Sequence, residues 1–247
     1  MKKALLIGIN YEHTSNELHG CINDVMHMEY FLSQRGFSDI TVMTDKTQDR
    51  SLIPTKSNII TNIRNLTTCK PGDTLFFHYS GHGGSVVDKN NDEEDGRDET
   101  IYTLDDQCII DDDLRKMLVD ELPKDVKLIC LFDSCHSGTI LDLRYVVKCF
   151  PIVGYNIKID KHYKDSNADI ILVSGCKDAQ TSADAFEEKQ FQGALTFCFL
   201  ETFKYNELPS YAEFIDYLDK FIKERGYSQI PQLSFGKLVH LDDKMFI

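Results

Sequence analysis

Two side chains that could react together, an imidazole and a thiol, each follow an apolar run. The run "FFHYSGHGG" brings His82, and the run "KLICLFDSCHSGT" brings Cys135. In both runs, apolar residues typical of a strand buried on both faces give way to serine and glycine. Ligands bind beyond the carboxyl ends of the strands in open parallel sheets. The two side chains therefore share one rim if their strands are neighbours.

A cysteine beside a histidine can catalyse acyl transfer. The thiolate is the nucleophile, and an imidazole can take its proton and later give it to a leaving amine. Backbone N–H groups of Gly83 and Cys135 could stabilise the oxyanion. Either side chain alone is more often structural, but His82 lies about 50 residues before Cys135, which is the spacing of caspases. Two other imidazoles compete: His78 lies in mid-strand and is expected to be internal, and His136 directly follows the cysteine.

The composition argues against several classes of function. The chain has 247 residues and a formal net charge of −13, whereas a nucleic-acid-binding surface needs a basic stripe. The charge is compatible with basic substrates and with cations. The eight cysteines form no C-x-x-C pair, so no zinc ribbon is expected, and the apolar surroundings of several of them predict free thiols in a reducing, cytoplasmic compartment. No apolar stretch approaches the roughly 20 residues of a membrane span, so no membrane association is expected.

Strand-like and helix-like runs alternate along the chain. This alternation predicts an α/β fold with a mostly parallel sheet and helices on both faces. Apolar runs predict strands at 3–9, 39–45, 72–84, 128–132, 168–175 and 231–241. Helical spacing predicts helices at 20–37, 55–66, 111–123, 193–203 and 210–224. The segments 86–99 and 143–167 are interpreted as long irregular loops.

The motifs, taken together, are similar to those of one family. The chain resembles the metacaspases, which are caspase-like cysteine proteases. The similar stretches run in the family's order along nearly the whole chain: "LLIGINY", "LHGCINDV", "FFHYSGHGG", "EEDGRDETIY", "IIDDDLRKMLVDELP", "LFDSCHSGTILDL", "SGCKDAQTSAD", "GALTFCF" and "PQLS". The resemblance implies that His82 and Cys135 are the catalytic dyad and that proteins or peptides are the substrates.

The same resemblance implies a fold and a division of the chain. The fold would be the caspase-type three-layer α/β sandwich, with a mostly parallel central sheet between two layers of helices. One peptidase domain would span 1–247. It would contain a large-subunit-like part, 1–142, an internal linker, 143–167, and a small-subunit-like part, 168–247.

Acidic residues near the dyad predict a pocket for a basic side chain. Asp133 is two residues before Cys135, so both lie on one face of a strand, and a buried carboxylate needs a partner such as a substrate guanidinium. Asp24 would supply a second carboxylate. The resemblance implies cleavage after Arg or Lys, with the pocket formed by Cys21, Asp24, Ser80 and Asp133. From the residues alone two alternatives stay open: Asp133 could bond local backbone, and Asp24 could be exposed near a helix start.

A second group of acids predicts a calcium site, since Ca²⁺ prefers several carboxylate oxygens. The segment "NNDEEDG" fails as an EF-hand loop because Tyr102 stands where a bidentate glutamate is needed. The resemblance instead implies a Ca²⁺ site built from Asp98, Asp111, Asp112 and Asp142. The alternative is that Asp111 caps a helix and Asp112 favours its dipole. A cation beside Asp142 could order the loop that carries Cys135.

The linker and the start of the chain give further expectations. A protease that prefers basic residues could cut itself at Arg144 or Lys148. The short linker is similar to that of type I metacaspases. Since the first predicted strand begins almost at Met1, no prodomain is expected before it. The resemblance also implies a monomer, whereas caspases dimerise through an edge strand.

Other interpretations remain open at this point. A non-proteolytic caspase-like scaffold would hold basic clients in the acidic groove, and Cys135→Ala would then change little. Arginine-specific proteases on similar folds, such as the gingipain-like ones, are a further alternative, against which the calcium motif argues. A phosphate-binding domain would need a glycine-rich loop after the first strand, and "IGINYEH" contains none.

Overall fold

A twisted eight-stranded sheet forms the centre of the part of the chain that the structure describes. The structure is a computed structural model, and it describes residues 1–88, 96–150, 154–175, 184–187, 190–227 and 229–247. The strands lie across the sheet in the order β2 (Asp39–Thr44), β1 (Lys2–Gly8), β3 (Thr74–Ser80), β7 (Lys127–Asp133), β10 (Asp169–Ser174), β13 (Gln232–Phe235), β8 (Tyr145–Phe150) and β9 (Gly154–Ile159).

The sheet is parallel on one side and antiparallel on the other. Strands β2, β1, β3, β7 and β10 run parallel, and β13, β8 and β9 follow in antiparallel pairs. The parallel strands β3, β7 and β10 are buried almost throughout, as their continuous apolar sequences predict. The expected adjacency of the strands that lead to His82 and Cys135 is confirmed, because β3 pairs directly with β7.

Helices cover both faces of the sheet, as the alternation of elements predicts. One face packs against α2 (Lys56–Thr67) and α3 (Asp111–Arg115), which continues into a π-helical turn, Lys116–Asp120. The other face packs against α1 (Cys21–Ser33), α4 (Ala194–Tyr205) and α5 (Tyr211–Glu224). Neighbouring residues of β3 alternate between the two cores, with Phe77 in the first and Phe76 in the second. These layers form the expected three-layer α/β sandwich.

Two segments that the sequence analysis interprets as irregular contain strands. β4 (Gly83–Val87), β5 (Arg97–Tyr102) and β6 (Cys108–Ile110) form a small antiparallel sheet, and the end of β4 and the start of β5 lie in the supposed loop 86–99. The segment 143–167 contains the antiparallel pair β8 and β9, so it is not an irregular linker. Both segments mix β-favouring residues with charged ones, and cross-strand pairing decides their structure.

A further pair of short strands precedes α4. β11 (Asp184–Glu187) pairs with β12 (Gln190–Gly193). β12 lies against α1, so the end of this hairpin and the start of α4 reach the rim where β3 and β7 end. Among the described residues, no helix is both long and apolar enough to cross a membrane.

Candidate active site

Two adjacent turns at the carboxyl ends of β3 and β7 carry His82 and Cys135. The register pairs Ser80 with Asp133, the last residues of the two strands. Beyond this pair, the Gly81 amide donates to the Asp133 carbonyl at 3.3 Å. The two turns therefore leave the sheet side by side, and each carries one member of the predicted dyad.

The backbone at Gly83 lies directly against the backbone of Cys135. A Cβ atom placed on Gly83 would overlap the carbonyl group of Cys135, so this position has no room for any side chain. His82 is the residue immediately before this contact. Both His82 and Cys135 are half-buried, which leaves each of them partly accessible to a substrate.

The imidazole of His82 is oriented by a backbone carbonyl. Its Nε2 lies 2.7 Å from the carbonyl oxygen of Asn16. Because a carbonyl only accepts, Nε2 carries the hydrogen, and in the neutral ring Nδ1 is the basic nitrogen. The ring of Tyr11 lies beside the imidazole, with ring centroids 4.8 Å apart. The sequence analysis missed Asn16 and Tyr11, because neither the glycine-rich turn nor the cysteine motif points to the loop after β1.

The two competing imidazoles occupy different environments. His78 is fully buried, as its mid-strand position predicts, and its Nδ1 lies 3.1 Å from the Leu131 carbonyl oxygen. Burial lowers the pKa of His78 from 6.5 to about 4, so this ring is neutral at neutral pH. His136 is half-buried and has a left-handed backbone, with φ of 49°.

The carboxylates of Asp24 and Asp133 approach each other beside the dyad. Asp24 is 0% exposed and Asp133 is 3% exposed. A Cβ on Gly193 would overlap a carboxylate oxygen of each. The amide of Gly193 donates to Asp24 at 2.9 Å and 3.0 Å, and the Ser80 hydroxyl donates to Asp24 Oδ2 at 2.6 Å. The alternative that Asp24 is an exposed residue at a helix start is therefore wrong.

Asp133 binds the first turn of α4. Its Oδ2 accepts from the amide of Thr196 at 2.8 Å and from the Thr196 hydroxyl at 2.9 Å. A carboxylate at a helix N-terminus is stabilised by the partial positive charge there. Thr196 is distant in sequence, so these bonds are not the local backbone bonds of the alternative interpretation. The sequence analysis missed Thr196 and Gly193, although both lie in the motif region "QGALTF".

Cys21 lies at the start of α1 and is 6% exposed. Its backbone carbonyl is so close to Gly8 of β1 that a Cβ on Gly8 would overlap it. This close approach holds the start of α1 against the sheet. The four predicted pocket residues thus lie at the ends of β3 and β7 and in the first turn of α1.

The predicted calcium ligands come from three parts of the fold. Asp98 lies on β5, Asp111 and Asp112 begin α3, and Asp142 lies in the loop between Cys135 and β8. Asp98, Asp111 and Asp142 are buried. Among the described residues, no three His, Cys, Asp or Glu side chains are arranged so that they could hold a metal ion.

Asp111 is the centre of this acidic region. It accepts from the amide of Asp112 at 2.7 Å and from the amide of Glu99 at 2.5 Å. Burial, with a contribution from the charge of Asp98, raises the pKa of Asp111 to about 7. The N-cap of α3 is Ile110, so Asp111 is not the N-cap of the alternative interpretation. The sequence analysis also missed Glu99, which accepts a hydrogen bond from Thr139 at 2.7 Å.

Arg115 joins this region to the loop after the nucleophile. Its Nη1 donates to the carbonyl oxygens of Leu141, at 3.3 Å, and of Asp142. The backbone of Asp142 is left-handed, with φ of 48°, and its amide donates to the Thr139 carbonyl at 2.6 Å. The loop between Cys135 and β8 therefore packs against α3 and β5.

The two predicted self-cleavage positions lie at the start of β8 and within it. Arg144 precedes β8 and forms a 3.0 Å ion pair with Asp165. The backbone of Lys148 pairs with Asn156 of β9, and the side chain of Lys148 lies outside the described residues. The rejected EF-hand positions, 91–95, also lie outside the described residues.

Comparison with known families identifies the family to which the chain belongs. Residues 2–144 match the family model described as "Metacaspase, peptidase C14 domain". The chain belongs to the metacaspases. Because this family is one of cysteine peptidases, the metacaspase is a cysteine protease, and proteins are its class of substrate. The resemblance seen in the motifs is confirmed.

Curated relatives support the same family along almost the whole metacaspase. It is 39% identical to Metacaspase-1 of Meyerozyma guilliermondii, covering 94% of this chain and 69% of that protein. It is 39% identical to Metacaspase-1 of Schizosaccharomyces pombe, covering 94% and 67%. Metacaspase-1 of Mycosarcoma maydis is 38% identical, covering 98% and 72%.

Solved structures confirm the fold of the metacaspase. A crystal structure of a Geobacter sulfurreducens protein matches with a TM-score of 0.71 and 28% identity, covering 99% of this chain and 98% of that one. Caspase-1 from Spodoptera frugiperda matches with a TM-score of 0.57 and 11% identity, covering 94% and 85%. The second likeness concerns the fold alone, and it confirms the caspase-type architecture.

Proposed function

We propose that this metacaspase is a calcium-dependent endopeptidase that cleaves after Arg or Lys through Cys135 and His82. The observation that carries this proposal is the contact between Gly83 and Cys135, which brings the turn of His82 against the nucleophile. The two turns are therefore adjacent before a substrate binds, which is a condition for catalysis by proximity.

In the proposed reaction, His82 Nδ1 takes the thiol proton of Cys135 and the thiolate attacks the scissile carbonyl. The same nitrogen then gives the proton to the leaving amine, and water hydrolyses the acyl-enzyme. The amides of Gly83 and Cys135 donate to the oxyanion. The Asn16 carbonyl supports this assignment because it holds Nε2 as the protonated nitrogen.

The buried acids Asp24 and Asp133 form the proposed pocket for the basic side chain. The bonds that Asp133 Oδ2 accepts from the amide and hydroxyl of Thr196 fix the orientation of its carboxylate at the end of β7. A substrate guanidinium would bring one positive charge to the two carboxylates and could bind one of them bidentately. Ser80 and Cys21 complete the pocket by fixing Asp24 and the start of α1, respectively.

Calcium dependence is proposed from the acids Asp98, Asp111, Asp112 and Asp142. Three of these carboxylates are buried, and the pKa of Asp111 is raised, so the negative charge in this region is poorly compensated. A hard cation such as Ca²⁺ would stabilise such carboxylates. A bound Ca²⁺ would supply positive charge to this region. Since Arg115 fixes the backbone at Asp142, binding there would restrain the loop that follows Cys135. The described arrangement is not closed around an ion, so binding requires these side chains to converge.

Self-processing near Arg144 or Lys148 is part of the proposal. The Arg144 carbonyl accepts from the Asp160 amide at 2.7 Å at the end of the β8–β9 pair, whereas Lys148 lies in the middle of that pair. A cut after Arg144 needs the start of β8 to open, whereas a cut after Lys148 needs the β8–β9 pair to separate. We also propose that the protein is a cytoplasmic monomer. The monomer is supported by β8 and β9, which follow β13 in the sheet and leave β13 no open edge.

The proposal is tested by cleavage of matched fluorogenic peptides that end in Arg, in Lys or in Asp. Each is measured with millimolar Ca²⁺ and with chelator, and Cys135→Ala is the control. We expect release from Arg and Lys peptides only with Ca²⁺, and none from the variant. Equal release from the Asp peptide would refute the acidic pocket, and full activity in chelator would refute the calcium dependence.

A further inference from the structure

Two buried tyrosines surround the backbone of His82 on the side away from Cys135. We infer that Tyr11 and Tyr79 are positioning residues, which fix the His82 backbone so that its imidazole stays directed at the nucleophile. The inference rests on the proposed role of His82 as the base. Tyr11 and Tyr79 lie in the motifs "LLIGINY" and "FFHYSGHGG", but those motifs do not indicate a role for the two hydroxyl groups.

The two hydroxyls bind both backbone groups of His82. The His82 amide donates to the Tyr11 hydroxyl oxygen at 3.1 Å, and the Tyr79 hydroxyl lies 2.7 Å from the His82 carbonyl oxygen. The hydroxyls are also 3.0 Å from each other, and each lies within 2.9 Å of the Tyr102 carbonyl oxygen. The Tyr102 amide donates to the same His82 carbonyl at 3.0 Å. The backbone of His82 is thus held by three polar groups, from the loop after β1, from β3 and from β5.

One arrangement of hydrogens satisfies this network. The Tyr79 hydroxyl donates to the His82 carbonyl, and the Tyr11 hydroxyl donates to the Tyr102 carbonyl while accepting from the His82 amide. Burial raises the pKa of both phenols well above the ordinary value of 10, so both stay protonated and able to donate. A phenyl ring would fill the same space without the cost of burying a hydroxyl, so packing alone does not explain the two hydroxyls.

The backbone around the network is shaped to admit it. A Cβ on Gly81 would overlap the Tyr79 hydroxyl and crowd the Tyr11 hydroxyl. Gly81 thus makes room for the tyrosines on one side of His82, and Gly83 makes room for Cys135 on the other. Tyr11 itself has a left-handed backbone, with φ of 53°, which is uncommon for a bulky residue. Such strain concentrates at functional sites.

The imidazole itself is restrained by the same elements. The Tyr11 ring packs at 4.8 Å from the imidazole centroid, and Asn16, in the same loop as Tyr11, accepts from Nε2. The loop after β1 therefore fixes the ring, and β3 and β5 fix the backbone. Loss of a hydroxyl would free the backbone of His82 while leaving the substrate pocket intact.

The test compares Tyr11→Phe and Tyr79→Phe with the matched control Tyr211→Phe. Tyr211 is as buried as Tyr11, at 7% exposed, but packs in the core on the far face of the sheet. We expect kcat to fall about 10- to 100-fold in the first two variants, with KM unchanged within about twofold, because misplacement of about 1 Å can cost such factors. Tyr211→Phe should keep the wild-type kcat and KM.

A second readout does not depend on the substrate. Alkylation of Cys135 by iodoacetamide, followed by peptide mapping, should slow in Tyr11→Phe and Tyr79→Phe, because thiolate formation needs the positioned imidazole. If the peptides are not cleaved even by the wild type, the proposed specificity fails, and the alkylation rates still test the tyrosines. Rates equal to that of Tyr211→Phe would overturn the inference.

Circular dichroism and urea unfolding show whether each variant is folded. If a Phe variant does not fold, Gly81→Ala perturbs the same two hydroxyls from the backbone side. It should lower kcat and slow alkylation in the same way. Wild-type kcat in folded Gly81→Ala, or a loss confined to KM in either Phe variant, contradicts a positioning role.

Discussion

The substitution Gly83→Ala tests the contact on which the proposed reaction depends. The backbone of Gly83 is not left-handed, so alanine adopts its conformation without strain. The added methyl group would instead stand inside van der Waals distance of the Cys135 carbonyl carbon and oxygen, both of which are backbone atoms that cannot rotate away. Carbon atoms in contact prefer about 3.5–4.0 Å, so the two turns must separate by about 1 Å or more.

A separation of this size should be costly for the reaction and mild for folding. A misplacement of about 1 Å can lower a rate about 100-fold, which corresponds to about 2.7 kcal/mol of transition-state stabilisation. We therefore expect kcat/KM of Gly83→Ala to fall at least about 100-fold on an Arg peptide. The two turns lie at the rim of the sheet, beyond the last pair of β3 and β7, so the cores on both faces are not repacked.

The neighbouring glycine provides a matched control. A Cβ on Gly84 would meet the ring of Tyr102, a side chain that is 37% exposed and can move into solvent. Gly84→Ala should therefore keep kcat/KM within about fivefold, since rotation of an exposed side chain costs little. Both variants are compared in a steady-state peptide assay, with urea unfolding to confirm the fold. Wild-type activity in Gly83→Ala would refute the reasoning.

Two further predictions follow from buried ionisable groups. Asp133→Asn keeps an acceptor for Thr196 but removes the charge, so kcat/KM on an Arg peptide should fall about 10- to 100-fold. The control variant Asp219→Asn alters a half-buried carboxylate of α5 that is paired with Lys223, so it should change kcat/KM little. Equal values for the two variants would contradict the pocket. His78 stays neutral because burial lowers its pKa from 6.5 to about 4, so below pH 6.5 only the unfolded chain takes up its proton. Between pH 7.5 and pH 5.0 this should reduce the free energy of unfolding by roughly 2 kcal/mol relative to His78→Leu, measured by urea unfolding; an identical pH dependence in both proteins would show that His78 does not titrate in this way.

The core of the fold is predictable from the sequence because its strands are continuous apolar runs. β3 and β7 are each a continuous apolar run that is followed by serine and glycine. A strand that is apolar on both faces is buried on both faces, which predicts a position at the centre of a parallel sheet. That placement brings His82 and Cys135 to one rim, and their residue types, their spacing and the family resemblance predict the dyad. The capping box of α5, in which Ser210 and Glu213 bond each other's backbone, is likewise a local pattern that fixes a helix start.

The remaining features depend on contacts between distant residues. β8, with the sequence YVVKCF, is rich in β-favouring residues, but Lys148 interrupts it, and Asn156 and Lys158 interrupt β9, so the sequence analysis interprets the pair as irregular. Thr196 and Glu99 join the site through bonds that span 63 and 40 residues, respectively. No spacing rule indicates such bonds. The tyrosine network was missed for the same reason, since Tyr11, Tyr79 and Tyr102 look like ordinary aromatic residues of strands and turns.

The proposed pocket joins the two parts of the chain on either side of the self-cleavage positions. Asp24 and Asp133 precede Arg144 and Lys148, whereas their partners Gly193 and Thr196 follow them. The strand β10 also pairs with β7 across this boundary. A cut at either position would therefore leave the two pieces bound through a buried sheet and through the pocket itself. Self-processing, where it occurs, should change the freedom of β8 and of the loop after Cys135 without separating the carboxylates from the helix that holds them.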